Sequence, residues 1–309
     1  MKLLLLGANG QVGFELARAL QTLGEVVPAT RDGKRPSGTH CLRVDLADPD
    51  TLTATLDQLL PDVVVNAAAY TAVDRAEDEG ASAQRANGDA VGEIGAWAAR
   101  NGALVVHYST DYVFDGAGRT PYREDAPTAP LGAYGRSKLA GETALQASGA
   151  RHLIFRTAWV YAARGGNFVR TMLRLGAERG AVRVVADQRG APTGARLIAD
   201  VTAAVLHAQR ASRGAAPLGT FHLAAGGECS WYDFAQAIFA AAAAANLLPR
   251  PVEVTAIPSA EFPTKARRPA YSVLDTQKLR DAFGLHLPPW QEGLDAVIAE
   301  LAGATERAR

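Results

Sequence analysis

The chain has 309 residues, 48% of them hydrophobic and 21% charged, and its 32 basic side chains balance 32 acidic ones. That length accommodates one large core with a smaller lobe and is too short for three ordinary domains. The charge balance leaves no strong field to attract nucleic acid or a membrane surface, so small molecules are the expected partners.

Short apolar runs alternate with amphipathic stretches through the first half, the pattern of a parallel sheet covered by helices. The first run, Leu3-Leu4-Leu5-Leu6, meets glycine too soon for a signal peptide or a membrane span and predicts a buried strand. Further strands are expected at 25–30, 41–44, 63–66, 104–109 and 153–157, with helices at 12–23, 49–60, 81–100 and 134–147. After Trp159 the pattern loosens, with Pro192, the loop 225–228 and prolines at 249, 258, 263 and 288, which predicts a second lobe. The alanine run 240–245 follows Phe234, Ile238 and Phe239 and suits a packed helix. The expected division is 1–158 for a dinucleotide-binding domain and 159–309 for a mainly substrate-binding lobe, with segments near 195–225 returning to the first domain. Cys41 and Cys229 have neither metal-knuckle spacing nor the density of a disulfide framework, which fits a reducing cytoplasm.

Gly7, Gly10 and Gly13 punctuate the segment between the first strand and the first helix, together with Asn9, Gln11 and Val12. A pyrophosphate can sit there against unsatisfied backbone N–H groups; a plain tight turn is the competing reading. Thr30-Arg31-Asp32 ends the second strand, where an arginine accepts a 2′-phosphate and a carboxylate bonds a ribose 2′-OH. Arg31 favours NADPH; Asp32 keeps NADH as the alternative. Asp45 and Leu46 are placed to hold the adenine, or to cap the helix at Pro49. Ala67, Ala68 and Ala69, followed by Tyr70, are small enough at the fourth strand's end for a dinucleotide to lie across the backbone.

Tyr134 and Lys138 stand four residues apart, on one face of a helix and one turn apart. An ammonium near a phenol stabilises the phenolate and brings its pKa down, which gives the lysine a chemical task; a solvated lysine beside an ordinary half-buried tyrosine is the structural alternative. Thr110 lies at the carboxyl end of the fifth strand, where ligands of open α/β folds bind. Its hydroxyl and the Tyr134 phenol together could polarise and protonate a hydride acceptor. The six histidines, His40, His107, His152, His207, His222 and His286, show no ligand spacing and read as structural.

With these residues assembled, the chain resembles the dTDP-4-dehydrorhamnose reductases, enzymes of the extended short-chain dehydrogenase type, through most of its length. The motifs that carry the resemblance are 7–13, the segment Asn66-Ala67-Ala68-Ala69-Tyr70-Thr71-Ala72-Val73-Asp74, 109–116, 134–138, 156–161 and 187–193. The resemblance implies a Rossmann-type doubly wound parallel sheet with a smaller C-terminal α/β lobe. It further implies NADPH-dependent reduction of the C4 ketone of dTDP-4-dehydro-L-rhamnose to dTDP-L-rhamnose. Thr110, Tyr134 and Lys138 would be the catalytic set, with Tyr134 the proton donor and Lys138 also holding the nicotinamide ribose. Trp159 would contact the sugar, unless it is core packing, with Thr71, Val73, Asp111 and Tyr112 near the same pocket and Arg268 toward the diphosphate. Some members of the family are dimers bridged by magnesium through glutamates. Glu15 stands at the first such position, but Arg196 appears where another glutamate is expected, so Glu15 reads as an exposed helix residue and a homodimer and a magnesium requirement stay open.

Rival readings remain. A nucleotide-sugar dehydratase of similar type carries an Asp-Glu pair after the threonine; here Asp111 is followed by Tyr112. The 66–74 segment argues against an epimerase. A non-catalytic NADP-binding regulatory subunit would share the fold, and an intact Thr110, Tyr134 and Lys138 favours an enzyme over it.

Overall fold

The computed structural model describes residues 1–35 and 37–307. Six strands run in the predicted order: β1 (Lys2–Leu6), β2 (Glu25–Thr30), β3 (Leu42–Arg43), β4 (Val63–Asn66), β5 (Leu104–Thr110) and β6 (Arg151–Thr157). They share one parallel sheet with a seventh strand, Gly219–His222, which pairs with β6. The spatial order is Gly219–His222, β6, β5, β4, β1, β2, β3, so the chain reverses direction across the sheet between β1 and β4. Ligands of such sheets bind outside the carboxyl ends of the strands at that switch point.

Parallel strands are covered on both faces and read as continuous apolar runs. Within each run successive side chains still part to opposite sides. Leu3, Leu5, Val63, Val65, Val106 and Phe155 pack beneath α1 (Gln11–Ala19) and the later helix Ala195–Ala211, against Leu16, Ile198 and Val205. Leu4, Leu6, Val64, Val105 and Ile154 pack on the other face under α2 (Pro49–Leu59), α4 (Ala90–Asn101) and α5 (Ala133–Ala147), against Leu52, Leu56, Ile94, Trp97 and Leu145. The helix expected over 81–100 is interrupted. A short α3 (Gly80–Gln84) passes through a π-helical turn, Arg85–Asp89, before α4 begins. The expected helix at 12–23 ends at Ala19 and finishes as a 3₁₀ turn. β3 is short and exposed, as edge strands usually are.

The remaining chain builds a second apolar cluster. Val169 and Met172 from helix Phe168–Arg179, Phe234 and Ile238 from helix Trp231–Ala244, and Trp290 and Leu294 close over Val182 and Val184. Strand Ala181–Val185 pairs in parallel with Glu253–Ile257. The alanine run at 240–245 lies mostly within the helix Trp231–Ala244, as its apolar flank predicts. Among the described residues no helix is long and apolar enough to cross a membrane.

Candidate active site

The turn after β1 is shaped by close approach. Gly7 has φ +76, and a Cβ there would lie 2.7 Å from the Ala68 nitrogen, so the glycine lets this turn nest against the loop that leaves β4. Gly10 caps α1 with no side-chain hydrogen bond, which leaves the first-turn N–H groups of the helix to a ligand. Gln11 is held from the second lobe, its Oε1 accepting from Asn167 Nδ2 at 2.9 Å. At the end of β2, Asp32 accepts from the Thr30 hydroxyl at 3.0 Å and from the Lys34 N–H, so its carboxylate is turned back on its own loop. Arg31 beside it is exposed. The helix cap before Pro49 is Asp48, whose Oδ1 accepts from the N–H groups of Asp50 and Thr51; the capping alternative offered for Asp45 is thereby corrected. Asp45 instead accepts from Ala47 N–H, and Leu46 is buried. Tyr70 is anchored on both sides, by Asn87 Oδ1 at its N–H and by Glu79 at its hydroxyl.

Thr110 and Tyr134 come together where β5 ends and α5 begins. Gly135 makes the approach possible, because a Cβ there would lie 2.3 Å from the Tyr112 carbonyl. The Thr110 hydroxyl donates to Asp111 Oδ1 at 2.9 Å and accepts from Tyr112 N–H at 3.2 Å, and it lies close enough to the Tyr134 phenol to act on its ionisation. The Tyr134 ring meets Tyr112 edge-on, with centroids 5.9 Å apart. Burial outweighs the opposing influence of the Thr110 hydroxyl and pushes the phenol up to about 12. The expected lowering by Lys138 is absent, because its ammonium lies against β5 and not against the phenol. A phenol that stays protonated at neutral pH is suited to giving a proton.

Asp111 is buried, and its carboxyl is raised to about 6 by loss of water, against the hydrogen bond from Thr110 and the nearby Ser272 hydroxyl. Its Oδ2 has no partner. Ionising Asp111 therefore costs the fold as pH rises from the unfolded value near 4 through about 6, and its stabilising contribution is complete only below that window. Asp111→Asn is expected to be more stable than the parent at pH 7, by on the order of 2 kcal/mol, with the gap closing near pH 4. Denaturant melts across pH 4 to 7.5 measure this, and a gap independent of pH would contradict it.

Lys138 is fully buried on α5. Its Nζ donates to the Tyr108 carbonyl at 2.6 Å and lies 3.3 Å from His107 Nε2. Burial lowers it to about 8, against the opposing pull of Glu142. Ser137, beside it, is tied to Asn87 in the π turn at 3.0 Å. Sequence reading passed over Asn87 and took His107 for a structural residue. The only signals available were a polar residue inside a helical pattern and a histidine in an apolar strand.

The second-lobe residues are placed less uniformly. Trp159 has a left-handed backbone, φ +47, and stacks face to face on Trp231 with centroids 3.4 Å apart, so packing accounts for much of its surface. Arg268 pairs with Asp74 at 3.1 Å, and Asp74 also accepts from Ala266 N–H, which fastens this loop to the segment following β4. Thr71 is exposed and Val73 half-buried on that segment. Glu15 is not exposed as expected but buried, its carboxylate facing Arg18 at 3.3 Å and Arg196 at 3.6 Å. Two guanidinium groups on one carboxylate make a poor donor set for magnesium, and among the described residues no group of three or more His, Cys, Asp or Glu converges elsewhere.

The sequence profile of the family described as RmlD substrate binding domain matches residues 1–302. A dTDP-4-dehydrorhamnose reductase of Burkholderia thailandensis is 50% identical over 305 residues, covering 97% of this chain and 99% of that one. Among solved structures, a dTDP-4-dehydrorhamnose reductase of Clostridium acetobutylicum superposes with a TM-score of 0.87 at 36% identity, over 97% of this chain and 99% of that one. The Bacillus anthracis dTDP-4-dehydrorhamnose reductase, solved in complex with NADP, superposes with a TM-score of 0.83 at 33% identity and the same coverage.

Proposed function

The chain belongs to the family described as RmlD substrate binding domain, and from that premise we propose that it is a dTDP-4-dehydrorhamnose reductase, converting dTDP-4-dehydro-L-rhamnose to dTDP-L-rhamnose. The observation that carries the chemistry is a Tyr134 phenol kept protonated by burial beside Thr110 at the carboxyl edge of the sheet, one helical turn from the buried Lys138. NADPH, when bound, supplies the hydride that reduces C4.

The chain's own groups do the rest. The uncapped first turn of α1 and the glycine turn before it receive the pyrophosphate, and Arg31 faces the 2′-phosphate while Asp32 is occupied by Thr30 and Lys34. Lys138 holds the nicotinamide ribose. The Tyr134 phenol gives its proton to the substrate's C4 oxygen as hydride arrives at C4. Thr110, fixed by Asp111 and Tyr112, stands beside the phenol on the substrate side. Tyr112, Thr71, Val73 and Trp159 line the sugar side, and Arg268, oriented by Asp74, faces the diphosphate. The same reading puts the enzyme in the cytoplasm, where Cys41 and Cys229, both free, stay reduced.

Loss of absorbance at 340 nm with dTDP-4-dehydro-L-rhamnose, beside a mannose-configured GDP-4-keto sugar, tests this. Turnover of the first alone is expected. Turnover of the second alone would replace the substrate and keep the chemistry, whereas NADPH binding with no oxidation would point to a regulatory subunit. Arg31→Ala is expected to weaken NADPH about ten- to a hundredfold while leaving NADH nearly unchanged, since a charge-assisted contact is worth roughly 1.5–3 kcal/mol. Equal losses in titrations with both cofactors would remove Arg31 from that role.

A further inference from the structure

Asn66, His107 and Lys138 form a line of buried polar groups beneath the site. Asn66 ends β4 and lies opposite His107 in the register of β4 and β5. Its amide cannot turn over freely, because Oδ1 accepts from Ala68 N–H at 3.2 Å, and this leaves Nδ2 facing His107 Nδ1 at 3.3 Å. An amino group there offers only hydrogens, so Nδ1 must accept and a neutral ring must carry its proton on Nε2. That Nε2–H points at Lys138 Nζ, 3.3 Å away. A neutral amine accepts it, while an ammonium opposes donor to donor. The other tautomer satisfies the ammonium but opposes donor to donor at Asn66. One mismatch is present whenever Lys138 is charged, and none when it is an amine.

We propose that Asn66 and His107 are positioning residues that set the protonation of Lys138: the ring donates Nε2–H to the lysine amine, and when Nζ takes a proton the ring's own proton passes to Nδ1 so that Nε2 accepts. One proton enters, at Nζ, and the ring keeps one throughout. The inference rests on the reading of Tyr134 and Lys138 as the catalytic pair. Burial holds His107 well below its ordinary range, which keeps the ring neutral, and it brings Lys138 to about 8, so the exchange falls at working pH. The other charged or titratable groups around Nζ are Tyr134 and Glu142 on its own helix, and Arg156 on β6, which is clasped to Glu142. Of these Glu142 acts against the Asn66–His107 pair by favouring the ammonium.

The test is ¹⁵N NMR of ring-labelled histidine in the full chain, with the His107 signals identified by their loss in His107→Gln. The ring is expected to change from Nδ1–H below about pH 8 to Nε2–H above it, following Lys138. Asn66→Leu removes the amide and relieves the mismatch, which should raise the midpoint by about one pH unit and move the alkaline limb of kcat with it. If that variant does not fold, Asn66→Ser serves, because a hydroxyl can donate or accept and so suits either tautomer. A ring that keeps one tautomer from pH 6 to 10, or a midpoint unchanged in a folded Asn66 variant, overturns the proposal. The ring signals are read without substrate, so a chain that fails to reduce the dTDP-ketone would sink the proposed activity and leave this titration to stand or fall separately.

Discussion

Tyr134→Phe is expected to lower kcat for dTDP-4-dehydro-L-rhamnose by about 10²–10⁴-fold, the usual contribution of a positioned acid, while the NADPH dissociation constant changes by less than about twofold. The phenylalanine ring keeps the edge contact with Tyr112, whose centroid lies 5.9 Å away, and keeps the packing at the start of α5. What is lost is the O–H that the C4 oxygen receives during reduction. Because the phenol is pushed up to about 12, the parent's proton donor is intact throughout the neutral range, and its own titration should not limit activity below pH 10. Steady-state rates paired with fluorescence titration of NADPH separate the two effects. A variant with near-parent kcat would end Tyr134's role as acid.

Arg156→Met is expected to destabilise the fold by about 3–5 kcal/mol, the cost of leaving one member of a buried pair without the other. Arg156 and Glu142 are joined by contacts of 2.7 and 3.0 Å, with side-chain exposures of 6% and 1%. Removing the guanidinium strands the Glu142 carboxylate beneath α5, one turn beyond Lys138. Replacing both, as Glu142→Leu with Arg156→Met, should return most of that stability, since well-packed apolar residues often match a buried pair. The double variant would also withdraw the group that favours the Lys138 ammonium. Urea unfolding of the three proteins decides the matter, and a single variant losing less than about 1 kcal/mol would show that water reaches the carboxylate.

The sheet was legible in the sequence because its causes are local. Apolar runs such as Leu3 to Leu6 and Val63 to Asn66 are bounded by turn residues, and period and length alone predict strands β1 to β6 and their helical crossovers. The glycine turn and the spacing of Tyr134 and Lys138 were equally plain, because one concerns adjacent backbone and the other a single helical turn. The strand Gly219–His222 was hidden because it is short, Pro217 precedes it closely, and its reason for existing is the open edge of β6 some sixty residues earlier.

The electrostatic settings of the site belong to the tertiary structure. Sequence spacing puts Lys138 beneath Tyr134, yet the direction of Nζ is decided by the Tyr108 carbonyl and by His107 on β5, and the phenol's pKa by burial. Asn87 reaches Ser137 from a π turn, Glu15 meets Arg196 because the helix Ala195–Ala211 packs on α1, and Arg268 is aimed by Asp74 across nearly two hundred residues. A repeating pattern along the chain can state which residues must leave water. It carries no record of which distant polar atom each buried polar group will meet, and in a low-dielectric interior that meeting fixes charge, orientation and chemistry.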